Sequence, residues 1–294
     1  MKNEILYHYN IYVSSLNEEF GNYSFVYDND SYFLQFFDRP LEDLNYLYEL
    51  NKEMISNGVT VHRIIPCIDN NLMMFVDNKP YVLLQLIRLK NRKININDVL
   101  SYNYIPNNIV VNKLNRSNWN ILWENKIDYF EYQFSQMNKK YPLISDSINY
   151  YLGMWENAIS FYNDNKSRMN SRLCVCHKRL GVNDTLNDFY NPLYFLIDYK
   201  ERDVASYLKS KVINHEKVDF NNYFSFFNPF LLISRLLFPS YYFDLYEKVI
   251  DGSIDENELN KIISLSSLYE EFLGDVFNYY KGIVPINWLI KKEN

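Results

Sequence analysis

The spacing of apolar residues changes once along this chain, and that change limits the architectures open to it. Up to about residue 88 they recur in short alternating runs rich in Tyr, Phe, Ile and Val. Such runs mark strands with one covered face. Asn10 to Ser14, Tyr23 to Tyr27, Tyr32 to Phe37, Arg63 to Ile68, Leu72 to Val76 and Tyr81 to Leu86 are read as strands. Asp28-Asn29-Asp30 and Val76 to Pro80 separate them with residues suited to hairpin turns. One helix interrupts the series. Pro40 to Asn57 places Leu41, Leu44, Tyr48 and Met54-Ile55 at helical spacing, with Gly58 as its stop. Arg88 to Lys93 is basic and reads as a hinge. Beyond it the period is mostly helical: Ile96 to Tyr102, Trp119 to Met137, Asp146 to Tyr162, Val204 to Val212, Asn222 to Leu237, Tyr242 to Ile250 and Glu256 to Tyr280. Ser145 or Asp146 is expected to cap the third of these. The predicted fold is α+β in two lobes, a sheet lobe over 1–88 and a helical lobe over 89–294.

Composition narrows the function classes. The chain carries 36 acidic and 30 basic residues for a net charge of −6. It lacks the basic balance of a duplex nucleic-acid binder, so no nucleic-acid partner is expected. No 18-residue uncharged apolar run occurs, and no membrane span is expected. Met1-Lys2-Asn3-Glu4 leads into polar sequence with no apolar signal core, so export by a signal peptide is not expected either. Three cysteines, Cys67, Cys174 and Cys176, have no framework spacing and fit a reducing, cytoplasmic setting. Cys174 and Cys176 would point the same way on a strand. No second Cys or His pair accompanies them, so buried thiols are expected. Tyr (28) and Phe (20) are abundant, which suits association surfaces.

The stretch Leu173-Cys174-Val175-Cys176-His177-Lys178-Arg179-Leu180, with Tyr194-Phe195-Leu196-Ile197-Asp198 after it, bears the chemistry. It resembles the catalytic loop and metal-binding strand of the aminoglycoside phosphotransferase and choline kinase superfamily, where the loop reads His-Gly-Asp-x-x-x-x-Asn. The resemblance implies a protein-kinase-like fold: a small antiparallel β lobe with one helix, and a larger helical lobe. The cleft between them would be the default ligand site. His177 matches the loop histidine, with a structural role expected. Arg179 stands where the catalytic Asp belongs. A guanidinium stays protonated and cannot accept a hydroxyl proton. Asn183 or Asp184 would be the second metal ligand, and Asp198 the main Mg²⁺ ligand, hard oxygen suiting that ion. Mg-ATP is the cofactor the resemblance implies; the residues by themselves establish none. Asp203 is read either as a substitute base or as a helix-start carboxylate paired with Arg179 or Arg202.

The small lobe departs from the pattern as well. A kinase fold uses a glycine-rich turn over the phosphates and a lysine on the third strand. Ser14 to Asn22 holds one glycine and two carboxylates. Gln35 takes the lysine position as a nucleotide-cleft residue, against a plain reading as an edge or solvent-facing side chain. Glu49 and Glu53 are its candidate helix partners, against a plain reading as a solvated helix face.

Several further stretches are similar to spore-coat-associated kinase-like proteins of endospore-forming Bacilli, of the YutH and CotS type. They are Tyr150 to Ile159, Cys176 to Arg179, Asp198 to Ala205, Ser234 to Phe243 and Pro285 to Leu289, in that order. The resemblance implies a role at the spore surface, with synthesis in the mother-cell cytoplasm and other coat proteins as partners. Three readings follow: a degenerate pseudokinase acting by binding a small molecule or nucleotide or by coat assembly, an active ATP- and Mg-dependent small-molecule phosphotransferase, and a purely structural coat protein.

Overall fold

The computed structural model describes residues 1–107, 112–137, 140–219 and 224–281. The chain forms two compact units. The first is Met1–Asn115 with Cys174–Arg179 and Asn183–Ile197; the second is Arg116–Leu173, Leu180–Val182 and Asp198–Asn294. The division therefore does not fall at residue 88. Backbone pairing draws residues 89–115 and the loop region into the first unit. Val175 N–H donates to the Tyr104 carbonyl, Ile94 to Asp184 and Leu186 to Arg92, at 2.8 to 2.9 Å. Bridges Lys93–Thr185 and Asn115–Ile197 add to this.

The first unit holds an antiparallel sheet. Its strands are β1 (Asn17–Glu19), β2 (Asn22–Tyr27), β3 (Asp30–Phe36), β4 (Arg63–Ile65), β5 (Met74–Val76) and β6 (Lys79–Gln85). Their order is β1-β2-β3-β6-β4, with β5 also paired to β6. Three two-residue turns set the register. Phe20-Gly21, Asp28-Asn29 and Asp77-Asn78 all have positive φ at both positions. That is the turn geometry whose twist matches paired strands, and Asn, Asp and Gly adopt it at least cost.

The expected strand Asn10–Ser14 does not form. A helix, α1 (Lys2–Tyr9), precedes it and ends at Asn10 in the left-handed region. Ile5 and Tyr9 of α1, with Ile11 and Val13, pack on Phe25, Leu34, Met74 and Leu83 of the sheet. The alternation of Ile11 and Val13 was thus real burial of an extended segment, without a ladder partner. α2 (Leu41–Ser56) buries Leu44, Leu47, Leu50 and Met54 along one stripe. Gly58, at φ +71°, follows its end as expected. This unit also holds two short helices, α3 (Ile96–Ser101) and α6 (Leu186–Phe189), each started by a reciprocal capping box. A two-stranded ladder joins β7 (Leu173–His177) to β8 (Phe195–Tyr199).

The second unit is helical: α4 (Trp119–Met137), α5 (Pro142–Asn165), α7 (Glu201–Ile213), α8 (Pro229–Leu237), α9 (Ser240–Ile250) and α10 (Ser266–Tyr279). α4 has the expected bounds. α5 starts earlier than Ser145, because Pro142 at its first position is already fixed at a helical φ. α8 starts only at Pro229, where the Asn228 side chain accepts from the Phe230 and Leu231 N–H groups. The predicted Glu256–Tyr280 helix is interrupted. A 3-10 turn and a helical turn over Glu256–Ile263 precede α10. Aromatic side chains fill the core. Phe130 stacks on Phe243 at 4.9 Å, and Trp155 meets Phe243 edge-on at 4.5 Å. All three cysteines are buried and none forms a disulfide. Among the described residues no helix is long and apolar enough to cross a membrane. The Pro285–Leu289 stretch lies outside the described residues.

Two buried polar residues knit α2 to β4. Asn51 donates to the His62 carbonyl at 2.7 Å and accepts from Ile64 N–H at 3.0 Å. His62 Nδ1 accepts from Ile87 N–H at 3.2 Å, which leaves Nε2–H to donate to the Asn187 carbonyl at 3.0 Å. Burial lowers the His62 pKa to about 4. The folded state therefore resists a proton that the unfolded chain takes up below about 6.5. Stability contributed by neutral His62 is present above pH 6.5 and is lost as pH falls toward 4, by about 3 kcal/mol. Urea titrations between pH 7 and 4 will show this slope in the native protein and a shallower one in His62→Gln.

Candidate functional site

In the first unit, β3 carries Gln35 into a neutral polar cluster. Gln35 is buried, so it is neither an edge nor a solvent-facing residue. Its Nε2 donates to the Tyr194 hydroxyl at 2.8 Å, and its Oε1 accepts from Asn191 Nδ2 at 2.7 Å. Both hydrogen-bonding ends of the amide are used, and neither the amide nor these two partners carries a charge to meet a phosphate. Glu49 is not brought to it. Glu49 lies on the exposed face of α2 and pairs with Lys52 at 2.7 Å. Glu53 accepts from the Tyr104 hydroxyl at 2.6 Å and from Asn107 N–H at 3.1 Å. The ion pair that anchors α2 is a different one. Arg39 donates through two nitrogens to Asp43, at 2.8 and 3.2 Å. It also donates to the carbonyls of Phe195 and Leu193, at 2.7 and 3.1 Å.

The segment expected as a phosphate loop is a closed hairpin. β1 and β2 pair through to Glu19–Asn22, so only Phe20 and Gly21 form the turn. Phe20 is 96% exposed at its tip.

His177 closes β7 in an aromatic cage. Its Nε2 lies 2.8 Å from the Phe189 carbonyl, and its ring stacks on Phe189 at 4.6 Å. Phe195 meets the ring edge-on at 5.3 Å. Such a ring positions the loop rather than reaching out of it. Lys178 follows, pairing with Asp38 at 3.2 Å. Arg179 is exposed at the bend after it. Asn183 does not present a vacant oxygen. Its Oδ1 accepts from the Lys93 ammonium at 2.8 Å.

The second unit holds Asp198, at the end of β8, with no exposed surface. Four contacts occupy its carboxylate. Trp119 Nε1 donates to both oxygens, at 2.9 and 3.1 Å. Tyr199 N–H donates to Oδ1 at 2.8 Å, and Arg202 to Oδ2 at 2.9 Å. Burial pushes the Asp198 pKa up; Arg202, Arg235 and the Trp119 bond oppose it. Arg235 is itself buried, its guanidinium 5.1 Å from the Phe238 ring and 5.6 Å from Trp119. Burial first, then the neighbouring Arg202 charge, lowers it to about 9. Asp203 is wholly buried in the first turn of α7, three residues past the cap position Lys200. Gly181 lets the loop approach α7 closely: a Cβ there would lie 2.9 Å from Ser210 Oγ, which accepts from Val182 N–H at 3.1 Å.

Magnesium asks for open oxygen ligands in near-octahedral array. The residues present do not fit that request. Asp198 faces a guanidinium and two N–H donors, and Asn183 faces an ammonium. Among the described residues no cluster of three His, Cys, Asp or Glu side chains could hold a metal ion. Trp119, Arg202 and Arg235 were not singled out from the sequence as partners of Asp198. A signal for Arg235 existed, since it is a lone charge in the apolar run Phe230 to Phe238. Trp119 read only as one more apolar position of α4.

An antiparallel sheet with one long helix, a strand ending in a buried histidine, and a helical unit entered through Ile197-Asp198 together define a kinase-like phosphotransferase fold. Solved structures agree. An aminoglycoside phosphotransferase from Alicyclobacillus acidocaldarius matches with a TM-score of 0.61 at 9% identity, over 94% of this chain and 95% of that one. Amicoumacin kinase hAmiN, solved with AMP-PNP, Ca²⁺ and Ami, matches with a TM-score of 0.52 at 12% identity, over 93% and 92%. The likeness is one of fold. The family described as "Spore coat putative kinase YutH" matches residues 2–276, and the chain belongs to that family. The endospore coat-associated protein YutH of Bacillus subtilis (strain 168) is 26% identical over 338 aligned positions, covering 99% of this chain and 98% of that protein.

Removing one partner of a buried ion pair leaves the other uncompensated and costs about 3–5 kcal/mol. Arg202→Met should lower stability by that amount in urea unfolding. The double variant Asp198→Asn/Arg202→Met should lose less than the two single variants summed, because its carboxamide carries no charge to strand.

Proposed function

We propose that this protein is a pseudokinase, a kinase-fold member of the spore-coat family whose phosphotransfer site has decayed, and that it acts by binding during coat assembly. The observation that carries this reading is the state of Asp198. The carboxylate that the fold would offer to Mg²⁺ serves instead as the buried counter-ion of Arg202, held by Trp119. Three further features support it: Arg179 at the base position, Gln35 at the lysine position, and a closed hairpin where a phosphate loop would be. Loss of a positioned base alone costs on the order of 10²–10⁴ in rate. A metal at Asp198 would also have to displace an arginine from a buried pair. On this reading the partners are other coat proteins, and the chain is made in the mother-cell cytoplasm and deposited on the spore.

A thermal-shift titration with Mg-ATP, coupled to an ADP assay, tests it. The expected result is no ADP formation and a midpoint within about 1 °C of the nucleotide-free protein. A ligand at 100 times its dissociation constant stabilises by about 2.7 kcal/mol, a shift of roughly 5 °C or more in a chain of this size. Such a shift with turnover would instead establish an active Mg-ATP-dependent phosphotransferase, with Asp184 or Asp203 as base. A shift without turnover would make nucleotide a ligand of the pseudokinase. Arg179→Asp alone should not restore turnover, since Asp198 would remain engaged.

A further inference from the structure

A cavity in the second unit is built differently from the Asp198 site. It lies among α5, the C-terminal end of α7, the Phe238–Tyr242 junction and the start of α10, and opens to solvent; its empty space, counted out into that solvent, is about 470 Å³. Tyr151, Met154, Phe238 and Tyr242 are buried against it. Leu265 and Ser266 are half-buried at its edge.

The hydrogen-bonding groups of the surrounding tyrosines are already committed to the protein. Tyr242 shares a hydrogen bond with Ser147 Oγ at 2.8 Å. Tyr151 donates to the Ile262 carbonyl at 3.3 Å, and Tyr269 to the Leu236 carbonyl at 2.6 Å. Tyr150 donates to Glu270 at 2.5 Å, and Tyr241 to the Ser206 carbonyl at 3.3 Å. Lys209 donates to the Phe238 carbonyl, and burial pushes its pKa well down. What remains for an occupant is mostly ring face, thioether and methylene, with the Ser240 and Ser266 hydroxyls as the small polar share. Tyr151 and Tyr242 stack with centroids 3.8 Å apart, giving a rigid aromatic wall.

We propose that this cavity binds an uncharged, hydrocarbon-rich small molecule of about one aromatic ring. An apolar cavity favours such a ligand because its surface leaves water and no polar group is stranded. A carboxylate would meet only the Lys209 amine, which already donates to the Phe238 carbonyl. An inserted peptide would bring backbone N–H and C=O groups without partners, each costing a few kcal/mol. Aromatic edges and the Met154 sulfur favour a ring over a chain of equal area.

Calorimetric titration of the full chain with toluene decides the matter. The expected result is saturable 1:1 binding with a negative heat-capacity change, and at least tenfold weaker binding of benzoate, which adds a charge to the same ring. Ser266→Trp, filling the mouth, should weaken toluene binding at least tenfold. Ser267→Trp, at the exposed neighbour, should leave it within twofold. Absence of saturable heat with toluene, equal affinity for benzoate, or equal losses in the two variants would overturn the proposal. The toluene–benzoate comparison uses the native protein and stands even if Ser266→Trp does not fold.

Discussion

A carboxylate sealed from water must have donors, and Asp198 has Trp119, Tyr199 N–H and Arg202, in four contacts. That requirement organises the second unit. Trp119 begins α4 and must aim its indole N–H inward. Arg202 is the second residue of α7, so that helix must start where it does. Arg235, on α8, lies against Trp119 and Phe238 and adds a second positive charge near the same oxygens. Three helices are thus tied to the end of one strand. Replacing such a buried pair by apolar residues of equal volume is often neutral or stabilising. The arrangement therefore says more about where helices dock than about how much stability they gain.

The first unit solves its polar burial with neutral groups. Gln35, Tyr194 and Asn191 satisfy one another, and Asn51 and His62 satisfy the backbone between α2 and β4. A catalytic lysine in place of Gln35 would need an anion beside it. None of the two Gln35 partners supplies one, and Glu49 and Glu53 are committed elsewhere. The position is filled by an uncharged side chain with both ends of its amide hydrogen-bonded.

Much of the fold was legible. The change of period near residue 88 marked the sheet and the helices, and Asp-Asn pairs marked two hairpins because few other residues accept positive φ twice in succession. α4 was readable to the residue, since Trp119, Leu122, Trp123, Ile127, Phe130 and Phe134 recur at helical spacing. α1 was not. It buries only Ile5 and Tyr9, too few to establish a period, and the extended Ile11 and Val13 after it alternate like a strand. The Glu256–Tyr280 region kept a helical pattern across breaks that the local sequence does not announce.

The sequence by itself determined what two side chains can do: the Arg179 guanidinium cannot take a proton, and Gln35 has no charge, whatever surrounds them. It also determined the family, through segments spread along the chain in a fixed order. Only the tertiary structure decided what became of the residues that remain. Asp198 and Asn183 read as oxygen ligands because residue type is local. Whether those oxygens are open depends on Trp119, 79 positions away, on Lys93, 90 positions away, and on Arg202 one helical turn on. Hydrogen-bond saturation is set by packing between distant segments, and the spacing of residues along a chain does not encode it.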